Sequence, residues 1–175
     1  MAKFQILNAS SNVNWTGKKV LGLHTGNIHV ESGFIELTDG LITNGEIKID
    51  MASITITDIE DTKAHDDFLV HLKNDDFFSV DKFKTAKLEI TSSAKKEDAN
   101  FTISGNLTIK EFTHPIRFNA KVEVFTDFLH SMGEIVIDRT MYNIRYGSGK
   151  FLDNLGDKLI YDDFVLQFKL IGKII

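Results

Sequence analysis

Phe101-Thr102-Ile103-Ser104-Gly105-Asn106-Leu107-Thr108-Ile109 and, after a short break, Ile116-Arg117-Phe118-Asn119-Ala120-Lys121-Val122-Glu123-Val124 alternate apolar and polar residues almost without fault. Successive side chains of a strand point to opposite faces, so this period of two gives each segment one buried and one wet face. Glu111 to Pro115 reads as the turn that folds the second segment back on the first as an antiparallel partner. Phe164, Leu166, Phe168 and Leu170, set against Val165, Gln167, Lys169 and Ile171, repeat the pattern near the C-terminus.

Elsewhere the alternation slips phase. Ile28 and Val30 sit on even positions but Ile35 and Leu37 on odd ones, which predicts a bulge or bend near Gly33. A second slip, between Ile47-Ile49-Met51 and Ile54-Ile56, predicts a bend at Ala52-Ser53. Turn signals at Asp39-Gly40, Asn44-Gly45, Glu97 to Asn100, Ser131-Met132-Gly133 and Asn154 to Asp157 divide the chain into eight strands. These fall near 3–7 with 11–17, 21–38, 41–57, 85–95, 100–110, 114–127, 130–139 and 158–174. No repeat, linker or low-complexity segment interrupts residues 1–175, so a single all-β antiparallel domain is expected, a sandwich or a barrel. Inward positions are mostly Phe, Ile, Leu and Val and share one interior, which favours a closed eight-stranded barrel.

Such a barrel is either filled by side chains or just wide enough for one small ligand. Fourteen phenylalanines against three tyrosines and one tryptophan describe a dry interior with few polar handles. Core packing alone accounts for the same composition. If the interior is hollow, the alternation makes Ile47, Ile49, Met51, Leu88, Ile90, Ile103, Leu107, Phe118, Val122, Ile135, Ile137, Phe164, Leu166 and Phe168 its wall.

One stretch breaks the β pattern. From Thr62 to Phe78, His65, Phe68, Leu69 and Leu72 fall at i, i+3, i+4 and i+7, one face of a short helix. Thr62 is the expected N-cap, His71 and Lys73 suit the negative end of the dipole, and Asn74-Asp75-Asp76 stops the helix. His65 and His71 are six residues apart, about 120° from a shared direction on the helix, and Asp66 and Asp67 point apart. No metal site is therefore expected, and Phe68, Leu69 and Leu72 read as a lid over one barrel end.

Other chemistry is thin. A net charge of −5 with no basic stripe gives nucleic acid no footing. The absence of cysteine removes disulfides and thiolate chemistry. No apolar run reaches transmembrane length, no serine has a nucleophile-elbow setting, and no cofactor motif is present. Met1 to Asn8 lacks the apolar core of a signal segment, so the chain as written reads as cytoplasmic, or periplasmic if a leader preceded it. Arg139 follows Ile135 and Ile137 in period and should point inward. A buried guanidinium needs partners, either in an ion pair closing the barrel end or in an anionic or polar ligand head. His24 carries the same choice.

Taken together, ordered motifs spanning nearly the whole chain resemble the YceI-like family of lipid- or polyisoprenoid-binding proteins. They are Trp15-Thr16-Gly17-Lys18-Lys19-Val20, His24-Thr25-Gly26, Asp50-Met51-Ala52-Ser53-Ile54, His71 to Phe78, Gly105 to Lys110, Thr113 to Ile116, Asp138 to Gly149 and Gly156 to Phe164. The resemblance implies a lipocalin-like barrel capped by one helix, its interior holding a long isoprenoid or fatty chain for transport or storage without turnover, often in a homodimer. Glu111 and Lys84 depart from the glycine and proline common there. Two other readings stay open: an enzyme acting on a lipid-like substrate through Arg139 and His24, and a structural module with a filled core.

Overall fold

In a computed structural model describing residues Met1–Ile175, nine strands form one antiparallel sheet that closes on itself. They are β1 (Ala2–Ile6), β2 (Asn12–Lys19), β3 (Gly22–Thr38), β4 (Leu41–Asp50), β5 (Thr85–Lys95), β6 (Asn100–Ile109), β7 (Phe112–Phe125), β8 (Phe128–Asp138) and β9 (Ile160–Ile174), with one helix, α1 (Thr62–Lys73), between β4 and β5. From β3 to β9 each strand pairs with the next in sequence, and both β1 and β2 pair with β3 on one side and β9 on the other. These two segments therefore share a single position, and the barrel has eight. A 3-10 turn at Asn8–Ser10 separates them. Ser11 bridges that break: its hydroxyl donates to Leu7 O at 2.8 Å and accepts from Ile171 N at 3.1 Å. Closure leaves no free sheet edge.

Both phase slips have structural causes. The register of β3 against β4 shifts between Val30 and Ser32, restoring the inward face ahead of Ile35. A 3-10 turn at Met51–Ser53 ends β4 earlier than expected, and the chain then runs on beside the first half of β3, with Thr55 N and Thr57 N donating to Asn27 O and Thr25 O. Three of the turns read from the sequence are placed differently. Asn44-Gly45 lies inside β4 and Ser131 to Gly133 inside β8, while the turn before β7 is only Lys110-Glu111 and Pro115 stands within the strand. Small residues misled the reading because close-packed strands also demand them: a Cβ on Gly133 would lie 2.6 Å from Asn119 O. At Asp39-Gly40 both φ angles are positive, 52° and 78°, as a two-residue hairpin turn requires.

The two barrel ends differ. One carries the short hairpins β3–β4, β5–β6 and β7–β8, and is filled by Phe4, Ile42, Phe101 and Leu129, each at most 4% exposed. The other carries two long connections, 51–84 with α1 and 139–159. Toward that end the inward residues Ile49, Leu88, Phe164, Leu166 and Phe168 are only partly buried although they face the interior. That combination is the mark of a hollow.

Candidate ligand cavity

The hollow is a cavity of about 640 Å³ lined by 38 residues, 30 of them hydrophobic. On β9 it extends from Ile160 to Leu170, about 33 Å of strand at roughly 3.3 Å per residue. Of the wall expected from alternation, every residue lines it except Val122, which packs into the filled end opposite Ser131. Among the lid residues Phe68 and Leu72 line it, whereas Leu69 packs against the core from the flank. Arg139 and His24 border it too. Sequence reading missed Trp15, Ile59, Phe77, Phe78, Ile160 and Ser131, and also Lys18 and Lys19, which stand with Tyr161 and Asp163 at the exposed mouth.

The lid is pinned by specific bonds. Its N-cap is Asp61 rather than Thr62, because the Asp61 carboxylate reaches Ala64 N at 2.7 Å, a geometry the sequence leaves open between adjacent capping residues. Lys73 ties the C-terminal end to Ala52 O at 3.0 Å. The two lid histidines go to separate partners, His65 to Asp66 and His71 to Asp76, and His71 also sits edge-on to Phe77 and Tyr146. No group of three or more His, Cys, Asp or Glu converges to hold a metal ion. His24 joins the mouth to the lid. Its Nδ1 lies 2.9 Å from Asp58 Oδ2, and its ring centroid is 4.9 Å from that of Phe68. The 54–58 segment packs tightly here: Trp15 Nε1 donates to Thr55 O at 3.0 Å, and a Cβ on Gly26 would lie 1.8 Å from that same oxygen. Burial works against the Asp58 carboxylate, but Thr25 N and His24 outweigh it and hold its pKa below the ordinary carboxylate value.

This geometry separates lid residues that seal from those that only face water. Phe68→Asp places a carboxylate against the apolar mouth and should weaken retention of a bound chain about tenfold or more and lower the melting temperature. Asp66→Asn and Asp67→Asn should each change stability by less than about 0.5 kcal/mol. Thermal melts and off-rates of a bound hydrophobic probe check both expectations.

Arg139, which lines the cavity, is held by main-chain carbonyl groups more than by a carboxylate. It is 4% exposed. Its Nε donates to Tyr161 O at 3.0 Å, Nη1 to Ile144 O at 3.0 Å and Tyr146 O at 2.8 Å, and Nη2 to Ile160 O at 3.0 Å. Asp162 is 3.9 Å away. With its nitrogens so engaged, the guanidinium clamps the 139–159 connection to the start of β9 and has little left for a ligand head. Beside it, Ser148 donates to Asp162 at 2.6 Å, and Lys150 donates to Asp138 at 2.7 Å.

Desolvation disfavours the Asp138 carboxylate, yet the bonds from Lys150 and Thr140 prevail and its pKa is lowered. A carboxyl lowered on folding contributes stability that is fully present above its unfolded pKa, about 3.9, and is lost as pH falls through the folded value. Melting temperature should therefore decline as pH drops below about 4. Lys150→Met should shrink that acid-dependent decline, as a melting series across pH would show.

A hollow, helix-capped antiparallel barrel with a greasy interior defines the class: a barrel-shaped container with room for one small molecule. The chain belongs to the YceI-like domain family, which matches residues 4–171. A UPF0312 protein of Serratia proteamaculans is 33% identical over 73 residues, which span 42% of this chain and 38% of that protein. Among solved structures, Burkholderia cenocepacia BcnA superposes with TM-score 0.74 at 19% identity, covering 95% of this chain and 98% of its own. A polyisoprenoid-binding domain from Saccharophagus degradans superposes with TM-score 0.73 at 17% identity, covering 98% of each chain. No helix is long and apolar enough to cross a membrane.

Proposed function

We propose that this protein binds the apolar chain of an isoprenoid or similar amphiphilic lipid inside its barrel and carries or stores it without chemical change. The observation that carries this reading is the cavity: about 640 Å³, within the range of ligand sites, with 30 of its 38 lining residues hydrophobic. At about 30 Å³ per water-sized group, the space suits on the order of twenty chain atoms. Burying ten methylenes contributes roughly 8 kcal/mol before the costs of ordering, enough for useful affinity. Family membership supports the same reading, as does the polyisoprenoid-binding domain that shares the fold.

Native mass spectrometry of protein purified from its host, followed by solvent extraction, tests the proposal. An apolar passenger of stoichiometric mass is expected. A protein that carries none and fails to take up prenyl or fatty chains would sink it.

A further inference from the structure

Six polar or charged side chains are buried: Ser11, Ser79, Thr102, Ser131, Arg139 and Ser148. Four have side-chain hydrogen bonds to protein groups. Ser11 bonds Leu7 O, Thr102 donates to Asn119 at 2.9 Å, Ser148 donates to Asp162, and Arg139 holds its four carbonyls. Of the remaining two, Ser131 alone lines the cavity. It is 2% exposed, and its hydroxyl bonds no protein group but borders the cavity.

Its position makes this unusual. On β8 the inward row runs Leu129, Ser131, Gly133, Ile135, Ile137, and Ser131 lies between Val122 on β7 and Leu170 on β9. A hydroxyl set among aliphatic neighbours is destabilising unless something bonds it. An alanine there would avoid that penalty. Ser131 also lies at the deep end, level with Leu170, whereas Lys18 and Lys19 are at the mouth.

We infer that Ser131 reads one neutral polar atom, a carbonyl or hydroxyl oxygen, at the leading end of the chain that enters the barrel. This rests on the binding proposal above and narrows its ligand class. A carboxylate or phosphate does not fit there, because a single hydroxyl cannot compensate a charge taken into an apolar interior. The occupant is then an amphiphile that enters with an uncharged oxygen first.

The test compares a saturated primary alcohol with the alkane of equal chain length, each displacing a fluorescent hydrophobic probe from wild type, Ser131→Ala and Ser131→Thr. Relative to Ser131→Ala, wild type should favour the alcohol over the alkane by about tenfold, the size of one net hydrogen bond. Ser131→Ala, which leaves the alcohol's hydroxyl without a partner, should shift the ratio toward the alkane and melt higher without ligand, and Ser131→Thr should keep the wild-type ratio. An alcohol-to-alkane ratio that is the same in wild type and Ser131→Ala overturns the role of Ser131 while leaving chain binding intact. If neither probe displaces the reporter from any variant, both proposals fall.

Discussion

Arg139→Met is expected to destabilise the protein by about 3–5 kcal/mol, the usual consequence of removing one side of a buried, hydrogen-bonded charge. The guanidinium here satisfies four main-chain carbonyls, those of Ile144, Tyr146, Ile160 and Tyr161. Methionine fills a similar volume but donates nothing, so those oxygens lose their partners in a region water does not reach. Burial draws the Arg139 pKa down while Asp162 and Asp138 draw it up, and the net effect is a lowering. Lysine should not rescue, because three donors on one nitrogen cannot span carbonyls that a planar fork reaches in two directions. By contrast, Lys150 is half exposed, and Lys150→Ala at neutral pH should cost no more than about 1 kcal/mol. Chemical denaturation of the three variants checks the ranking. An Arg139→Met protein with the wild-type midpoint would show that the clamp is dispensable.

The clamp matters to function through geometry. The 139–159 connection is 21 residues long and has no strand or helix longer than a 3-10 turn. It nevertheless places Tyr142 and Ile144, which are 1% and 0% exposed, at the cavity end of the barrel. A long loop packs this tightly only if its main-chain carbonyls find donors, and one arginine serves two of them, Ile144 O and Tyr146 O, while also holding Ile160 O and Tyr161 O of β9. Ile144 and Arg139 both line the cavity. Loosening the clamp should therefore open the hollow as well as weaken the fold.

How far the sequence disclosed this arrangement depended on whether a signal was periodic or came from several strands at once. The strands were legible because alternation in 101–109, 116–124 and 164–170 is a local consequence of burying one face. Most wall residues were legible for the same reason, since an inward position remains inward whether the barrel is full or hollow. What period could not decide was hollowness. That depends on whether side chains from opposite strands meet, and Phe4, Ile42, Phe101 and Leu129 do so at one end while Leu88 and Leu166 do not at the other. Nor could it show that Arg139 faces carbonyls from a loop and from β9, or that Lys18 and Lys19 sit at the mouth. Those facts arise where elements distant in sequence are brought together. Glycine and serine at 131–133 misled because turns and close strand approaches favour the same small residues.

The combined substitution Leu88→Trp with Leu166→Trp should abolish capture of a long apolar chain while leaving the barrel folded. Leu88 on β5 and Leu166 on β9 are four positions apart around an eight-position barrel, hence on opposite walls, and both line the cavity. Leu88 lies three residues and Leu166 six residues along their strands from the lid end, so both stand partway down the cavity. Two indoles growing toward one another at that height divide the hollow and leave the chain only its upper part. Losing contact for four methylenes removes about 3 kcal/mol, so affinity should fall at least about a hundredfold. Stability should stay within about 2 kcal/mol of wild type, since filling a void is favourable and the unpaired indole N–H groups offset part of that gain. Gln167→Trp, on the exposed face of the same strand, is the control and should bind as wild type does. The readout is titration of a long-chain fluorescent fatty probe alongside thermal melts of all three proteins. If the doubly substituted protein folds and still binds the probe with unchanged affinity, the chain does not lie in the barrel, and the ligand must be sought on the outer surface.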